Sequence, residues 1–355
     1  MSQRSFDKPV VYFLSFVGPD YSRSSTILNF QTSSFEKKYL HLPTGVFKIA
    51  RMLFFYRKEL KQAYSIVVMS PCHIVTPIAR LLVRKPIVLD AGWPLLDGLV
   101  SRGIWNSSIL KFPGIAILDF IAFHCADVIL VESNIQIDRL RMYFRVSPKR
   151  IRVLFTGITE SVFENPNVKT KLINEIEERA KKLNFPLTVI FRGKVNRESG
   201  VSHIIESAKL LEGRVLFIFV IGEEDARLTS ESNRIVVSGI TINEMKQIYE
   251  FVDVAIGQVS EHTRLNYTIP HKAFEAGFFA KPYITTSSRG IRELYGPDSA
   301  VLMDQVSANS LASEILRLME PSTRIRLGAS IHARYQEKAS QRVINSRFEN
   351  ILRGL

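Results

Sequence analysis

The sequence predicts an α/β chain of two Rossmann-like domains whose parallel sheets face each other across a cleft. Three observations carry that prediction. Short apolar runs alternate with segments of helical spacing over residues 10–155 and again over 171–319, with a polar stretch at 156–170 between them. The runs are continuously apolar, as strands covered on both faces require. The halves also share small phrases: Ala126-Asp127-Val128 and Val252-Asp253-Val254 each follow a helix and open a strand, and Lys85-Pro86 and Lys281-Pro282 each precede one. With 355 residues the chain is long for one core and comfortable for two. The expected divisions are 1–157, 158–328, and a helical tail over 329–355 that crosses back to the first domain.

In the first half, strands are expected at 10–16, 65–70, 86–89, 127–131 and 151–155. Helical spacing is expected at 44–64, 71–82, 109–125 and 135–144, and a helix start at 25–30. In the second half, strands are expected at 187–191, 215–221, 235–237, 254–256 and 282–285. Helices are expected at 171–183, 200–211, 242–251, 271–279 and 308–319.

The net charge of +13 is unevenly spread. Residues 1–157 hold 21 Lys/Arg against 10 Asp/Glu, and residues 158–355 hold 26 against 24. A basic half suits a phosphate-rich partner such as anionic lipid or a pyrophosphate-linked substrate, or is simply a solvated basic surface. Nucleic acid is not expected, since neither a stacking-aromatic module nor a helix-turn-helix phrase is evident. Cys72 and Cys125 stand in apolar surroundings without Cys-x-x-Cys spacing and read as two buried thiols. The N-terminus lacks a long apolar core and a cleavage site, and no run reaches about 18 apolar residues, so a cytoplasmic protein is expected.

The most informative segment runs from Tyr267-Thr268-Ile269-Pro270-His271-Lys272-Ala273-Phe274-Glu275-Ala276-Gly277 to Lys281-Pro282 and on to Glu293. It reads as loop, helix, tight turn and strand. Pro270 stands at the helix start, so the amides of His271, Lys272 and Ala273 are expected to point out of the first turn, where they would attract a diphosphate. Lys272 adds a cation, and Glu275 lies near enough to accept ribose hydroxyls. The same residues also suit an ordinary capped helix with a surface lysine. Upstream, Val189-Ile190-Phe191-Arg192-Gly193-Lys194 precedes Ser199-Gly200-Val201 and a helix. There Gly193 lets the backbone pass close to a ligand.

These two segments resemble the nucleotide-binding motifs of GT-B glycosyltransferases, in particular the retaining family four, the glycosyl transferases group 1. The shared phrase is P-x-K-x-x-E-x-x-x-x-x-K-P, here Pro270, Lys272, Glu275, Lys281 and Pro282. The resemblance implies a nucleotide diphosphate sugar as donor substrate and no further cofactor; no obligatory metal is expected, since no suitably placed D-x-D pair and no His/Cys cluster of ligand spacing occurs. It makes Glu275 the second glutamate of the E-x7-E motif, which holds ribose, and puts Tyr267 where the first glutamate stands. Lys194 would face the donor diphosphate. The loop lysine of the family falls on Ser199, with Arg192 or Arg197 left to supply its charge. Gly239 matches a position that holds the base through backbone groups, and Gly222 a turn close to the nucleotide.

In the first half the resemblance is thinner. Gly18 opens a polar loop, 18–25, where the family touches donor phosphate or acceptor; Arg23, Ser24 and Ser25 are its other candidates. Asp90 ends a strand and either polarises an acceptor hydroxyl or caps a turn. The loop from Trp93 to Trp105 is expected to shape the acceptor site. Thr44–Lys61 mixes apolar, aromatic and basic residues, the pattern of an interfacial helix on an anionic membrane or of an amphipathic core helix. The sequence therefore points to a hexosyltransferase acting on a glycan or lipid-linked acceptor. A sugar-nucleotide epimerase of the same fold and a catalytically degenerate scaffold are its alternatives.

Overall fold

The computed structural model describes residues 8–18, 22–101, 111–163, 169–222, 225 and 228–355. They form two compact units, one of residues 1–157 with 341–355 and one of 158–340.

The first unit runs β1 (Val10–Ser15), α1 (Ser22–Leu28), β2 (Glu36–His41), α2 (Val46–Phe55), α3 (Arg57–Gln62), β3 (Ser65–Val68), α4 (Val75–Leu82), β4 (Ile87–Gly92), α5 (Leu95–Ser101), α6 (Lys111–Cys125), β5 (Val128–Val131), α7 (Asn134–Phe144) and β6 (Ile151–Val153). Its six-stranded parallel sheet has the order β2-β1-β3-β4-β5-β6. One face buries Ile49 and Leu53 of α2, Ala79 of α4, Phe123 of α6 and Leu140 of α7. The other face buries Ile27 and Phe30.

The second unit runs α8 (Lys171–Leu183), β7 (Thr188–Arg192), α9 (Val201–Leu210), β8 (Leu216–Ile221), β9 (Arg234–Ser238), α10 (Ile242–Phe251), β10 (Val254–Ile256), α11 (His271–Phe278), β11 (Tyr283–Thr286), α12 (Arg289–Leu294), β12 (Val301–Met303), α13 (Ala308–Arg317) and α14 (Pro321–Lys338). The last helix, α15 (Gln341–Arg353), returns to the first unit. The order of the second sheet, also parallel, is β12-β11-β10-β7-β8-β9. Local signals set several helix ends. Thr241 and Glu244 close a capping box on α10, and Asn184 ends α8 in the left-handed conformation.

Two expectations change. The closing tail, expected from 329, starts inside α14, which stays with the second unit; the chain passes to the first unit only after Ser340. There Phe348 of α15 packs edge-on against Phe30, with ring centroids 4.9 Å apart. Of the two thiols, Cys72 is buried but Cys125 is only half-buried.

Candidate active site

In an open parallel sheet the order of strands reverses at one place, and loops leaving the strand ends there part to either side and open a crevice. In the second unit the reversal lies between β7 and β10, which pair directly. The loop after β7 carries Gly193, Lys194 and Arg197; the segment after β10 leads to α11. The structure thus brings the two sequence-predicted segments to one sheet edge.

At that edge Arg192, Gly193, His271, Lys272 and Glu275 meet. Glu275 is buried, and both its oxygens are engaged. Oε1 accepts from Arg192 Nη1 and lies 3.1 Å from His271 Nδ1, while Oε2 accepts from the hydroxyl of Tyr249 at 3.2 Å. Burial pushes this carboxyl up, but Arg192, His271 and Tyr249 outweigh it and hold the group at about 2. Glu275 in turn keeps the Arg192 guanidinium above its ordinary value. The two residues thus engage each other directly: Arg192 spends one guanidinium nitrogen on Glu275, and Glu275 ties Arg192, His271 and Tyr249 together at the sheet edge.

Lys272 is not the surface lysine of an ordinary helix. Its side chain is buried, with Nζ 4.0 Å from the centroid of the Phe191 ring and 3.0 Å from Gln258 Oε1, to which it donates. Burial and then the neighbouring Arg192 lower its pKa to about 7. Gly193 makes the space: a Cβ there would stand 3.2 Å from Lys272 Nζ, and the backbone sits at φ +144°. Pro270 precedes α11 in an extended conformation. The Ala273 amide, expected to be free, donates to the Pro270 carbonyl at 2.9 Å. The amides of His271 and Lys272 are left without a hydrogen-bond partner among the described residues.

The loop after β7 is pinned to the segment after β10. Val259 N donates to Ser199 O at 3.0 Å, and Ser260 Oγ to Glu198 O at 2.7 Å. Arg264 Nη1 donates to both carboxylate oxygens of Glu198, at 2.7 and 2.9 Å. Gly200 is forced by this contact: it sits at φ +65°, and a Cβ would fall 1.6 Å from the Val259 carbonyl oxygen. Lys194 and Arg197 stay exposed on the loop, with no ion-pair partner among the described residues. Ser199 is buried and bonded to Asn196, so it replaces a lysine with a turn rather than with a charge. Tyr267 is half-buried after a short 3-10 turn, and Gly239 follows β9 at φ +68°.

In the first unit the structure corrects two candidates. Asp90 is fully buried at the end of β4, where Oδ1 accepts from Arg23 Nε at 2.7 Å. Burial raises its pKa and Arg23 opposes the rise. Arg23 also donates to Leu154 O at 3.0 Å and to Thr156 Oγ1 at 3.3 Å. Both are buried away from solvent; Arg23 is the counterion of Asp90 and also lies 3.7 Å from Glu132. Gly18 is exposed beyond β1, and the rest of its loop at 19–21 lies outside the described residues. Of the expected 93–105 loop, 95–101 is the helix α5 and 102–105 lies outside the described residues.

Tyr249, Gln258, Glu198 and Arg264 escaped the sequence reading. None stands in a phrase of its own, and each reaches the site through strand order.

Known proteins resemble this chain in sequence and in fold. Residues 186–321 match the family model for glycosyl transferases group 1. The alpha-maltose-1-phosphate synthase of Mycobacterium tuberculosis is 27% identical over 135 residues, 38% of this chain; the match spans only 34% of that protein's length. Among solved structures, Anabaena Alr3699/HepE in complex with UDP-glucose superimposes with a TM-score of 0.74 at 14% identity, covering 98% of this chain and 100% of that one. A glycosyltransferase from Rickettsia africae superimposes at 0.70 and 11% identity, covering 98% and 99%. Residues 186–321 are thus similar to the glycosyl transferases group 1, and the chain that carries them has the GT-B fold.

Proposed function

We propose that the chain transfers a hexose-type sugar from a nucleotide diphosphate donor to a lipid-linked or polysaccharide acceptor, with retention at the anomeric carbon. The observation that carries this reading is the sheet edge at β7 and β10. There two amides without a partner among the described residues open α11 beside the buried Lys272, within residues 186–321 that match a glycosyltransferase family model. A helix N-terminus with free amides favours a diphosphate. In HepE, the structural neighbour, the bound molecule is UDP-glucose.

In the reaction the bond from the anomeric carbon to the diphosphate oxygen breaks with its electron pair going to the diphosphate. The acceptor hydroxyl oxygen forms the new bond and passes its proton to the departing diphosphate oxygen. Charge grows on the leaving diphosphate. Lys194, Arg197, Lys272 and the amides of His271 and Lys272 neutralise it, so the chain's own cations take the part a metal plays elsewhere. Glu275 holds Arg192 and His271 in place beside them. Gly239 and Tyr267 border the base and sugar ends of the donor.

The test is calorimetric titration with a panel of nucleotide diphosphate sugars. Lys194→Ala is expected to weaken the bound donor about tenfold or more, the worth of a charge-assisted contact. Unchanged affinity in Lys194→Ala and Glu275→Ala together would sink the site. Product analysis without an acceptor separates transfer from epimerisation, which needs none.

A further inference from the structure

We infer that the helical layer α2, α4, α6 and α7 of the first unit, with α5 packed on α6, is a docking surface for an anionic lipid bilayer. This goes beyond the transferase reading and does not depend on it. The described residues expose fifteen large apolar side chains, and eleven of them lie on these five helices. Phe47 is 92% exposed, Phe55 76%, Leu81 87% and Met142 70%. The inner sides of α2, α4, α6 and α7 are already used by the core, through Leu53, Ala79, Phe123 and Leu140. These outward groups are therefore surplus to folding, and exposed apolar groups in such number on one face mark an interaction surface.

Charge selects the partner. Residues 1–157 with 341–355 hold 24 Lys/Arg against 11 Asp/Glu, and 158–340 hold 23 against 23, so the whole +13 lies on this unit. Lys48 and Arg51 are exposed between Phe47 and Phe54 on α2, Lys58 and Lys61 are exposed on α3 just after Phe55, and the Arg57 guanidinium lies 4.0 Å from the Phe54 ring centroid. Aromatic and basic side chains interleaved on one face suit the boundary of lipid tails and anionic headgroups. A second copy of the chain would bring two such basic faces together and suffers their repulsion. Between α5, α6 and α7 the layer opens into a mainly apolar groove of about 570 Å³, bordered by Ile117, Phe120 and Tyr143, with the Asp97–Arg139 ion pair also in its lining. Among the described residues no helix is long and apolar enough to cross a membrane, so contact is from one side.

The test is co-sedimentation of the full chain with phosphatidylcholine vesicles and with vesicles containing an equal part of phosphatidylglycerol. The chain is expected to bind the anionic vesicles, and to release them as salt rises. Phe47→Ser with Phe55→Ser, and separately Lys58→Glu with Lys61→Glu, are each expected to weaken that binding at least about tenfold. Ile117→Asp is expected to weaken it as well, without changing the thermal unfolding of the chain. Equal binding to neutral and anionic vesicles, no binding to either, or variants that bind as tightly as the parent would each overturn the inference. Self-association that the phenylalanine pair abolishes, without vesicle binding, would reassign the face to a protein contact and overturn it too. Donor titration is expected to be unchanged in all these variants. Vesicle binding without donor binding would sink the transferase reading and leave this surface standing.

Discussion

Replacing Lys272 by methionine tests whether the second unit carries a cation that the fold alone would be more stable without. The ammonium sits against Phe191 beside Arg192, and its pKa falls from 10.5 to about 7. The sign follows from linkage. Below pH 7 the folded and unfolded states both hold the proton, and the folded state bears the full cost of the buried charge. Between pH 7 and 10.5 the folded state releases the proton first, and stability rises. At about 1.4 kcal/mol per unit the full cost is roughly 5 kcal/mol. Methionine keeps the stem along the ring and deletes the charge; the lost bond to Gln258 costs about 1 kcal/mol. Lys272→Met is therefore expected to be more stable than the parent at pH 6 by roughly 3–5 kcal/mol, with the gap narrowing by roughly 2–3 kcal/mol at pH 9. In a unit of about 180 residues each kcal/mol moves the transition by about 2–4 °C. Scanning calorimetry at pH 6 and pH 9 reads both numbers. A gap equal at the two pH values, or a less stable variant at pH 6, would refute the argument. The same variant should lose what the cation is for: a nucleotide diphosphate at a hundredfold excess over its Kd stabilises the parent by about 2.7 kcal/mol and should leave the variant nearly unmoved.

Three further outcomes are expected. Glu275 is held at about 2 against 4.5, so the stability it contributes is complete above pH 4.5 and lost as pH falls toward 2. Acid titration of the parent should show an extra loss of roughly 3 kcal/mol over that window that is missing in Glu275→Gln, which is already weaker at neutral pH. The bidentate pair of Glu198 and Arg264 ties together the two loops at the sheet edge. A double-mutant cycle of Glu198→Ala and Arg264→Ala should show coupling of about 1–2 kcal/mol in stability. Either change should also weaken the donor several-fold, and restoring an ion pair by exchanging the two residues should recover part of that loss. In the first unit, Asp90→Asn leaves buried Arg23 with Glu132, 3.7 Å away, as its remaining carboxylate and is expected to cost about 2–3 kcal/mol in the transition followed by tryptophan fluorescence. Donor affinity should not change, and a fall in it would return Asp90 to the reaction.

The strands that the sequence makes legible are those buried on both faces. All six residues of Leu216–Ile221 are buried, and an unbroken apolar run has no other use in a chain of this composition. The edge strand β2 is the opposite case. It pairs with β1 alone, its Glu36, Lys37 and Lys38 are exposed, and its periodicity carries no signal. α12 and β12 are short, and neither carries enough residues to establish a period. Charge at an edge also discourages further pairing, so the feature that hides the strand from a reader is useful to the protein.

The site divides along the same line. Pro270 and Gly193 were legible because backbone geometry restricts residue type, and a glycine or proline marks its position in the sequence. The partners of charged side chains were not. Arg192 reaches Glu275 across 83 positions and Arg23 reaches Asp90 across 67, and both pairings are made by strand order, which no local phrase records. Gly193 shows how the two kinds of information combine. Read alone, it permits a ligand to approach the chain. In the fold its missing side chain makes room for Lys272, so the glycine admits a buried cation at the strand end. A Cβ at 193 would push the ammonium by a few tenths of an ångström, and the φ of +144° already disfavours any other residue there. The P-x-K phrase and the glycine 77 positions before it are therefore one device, and neither residue should be exchangeable without the other.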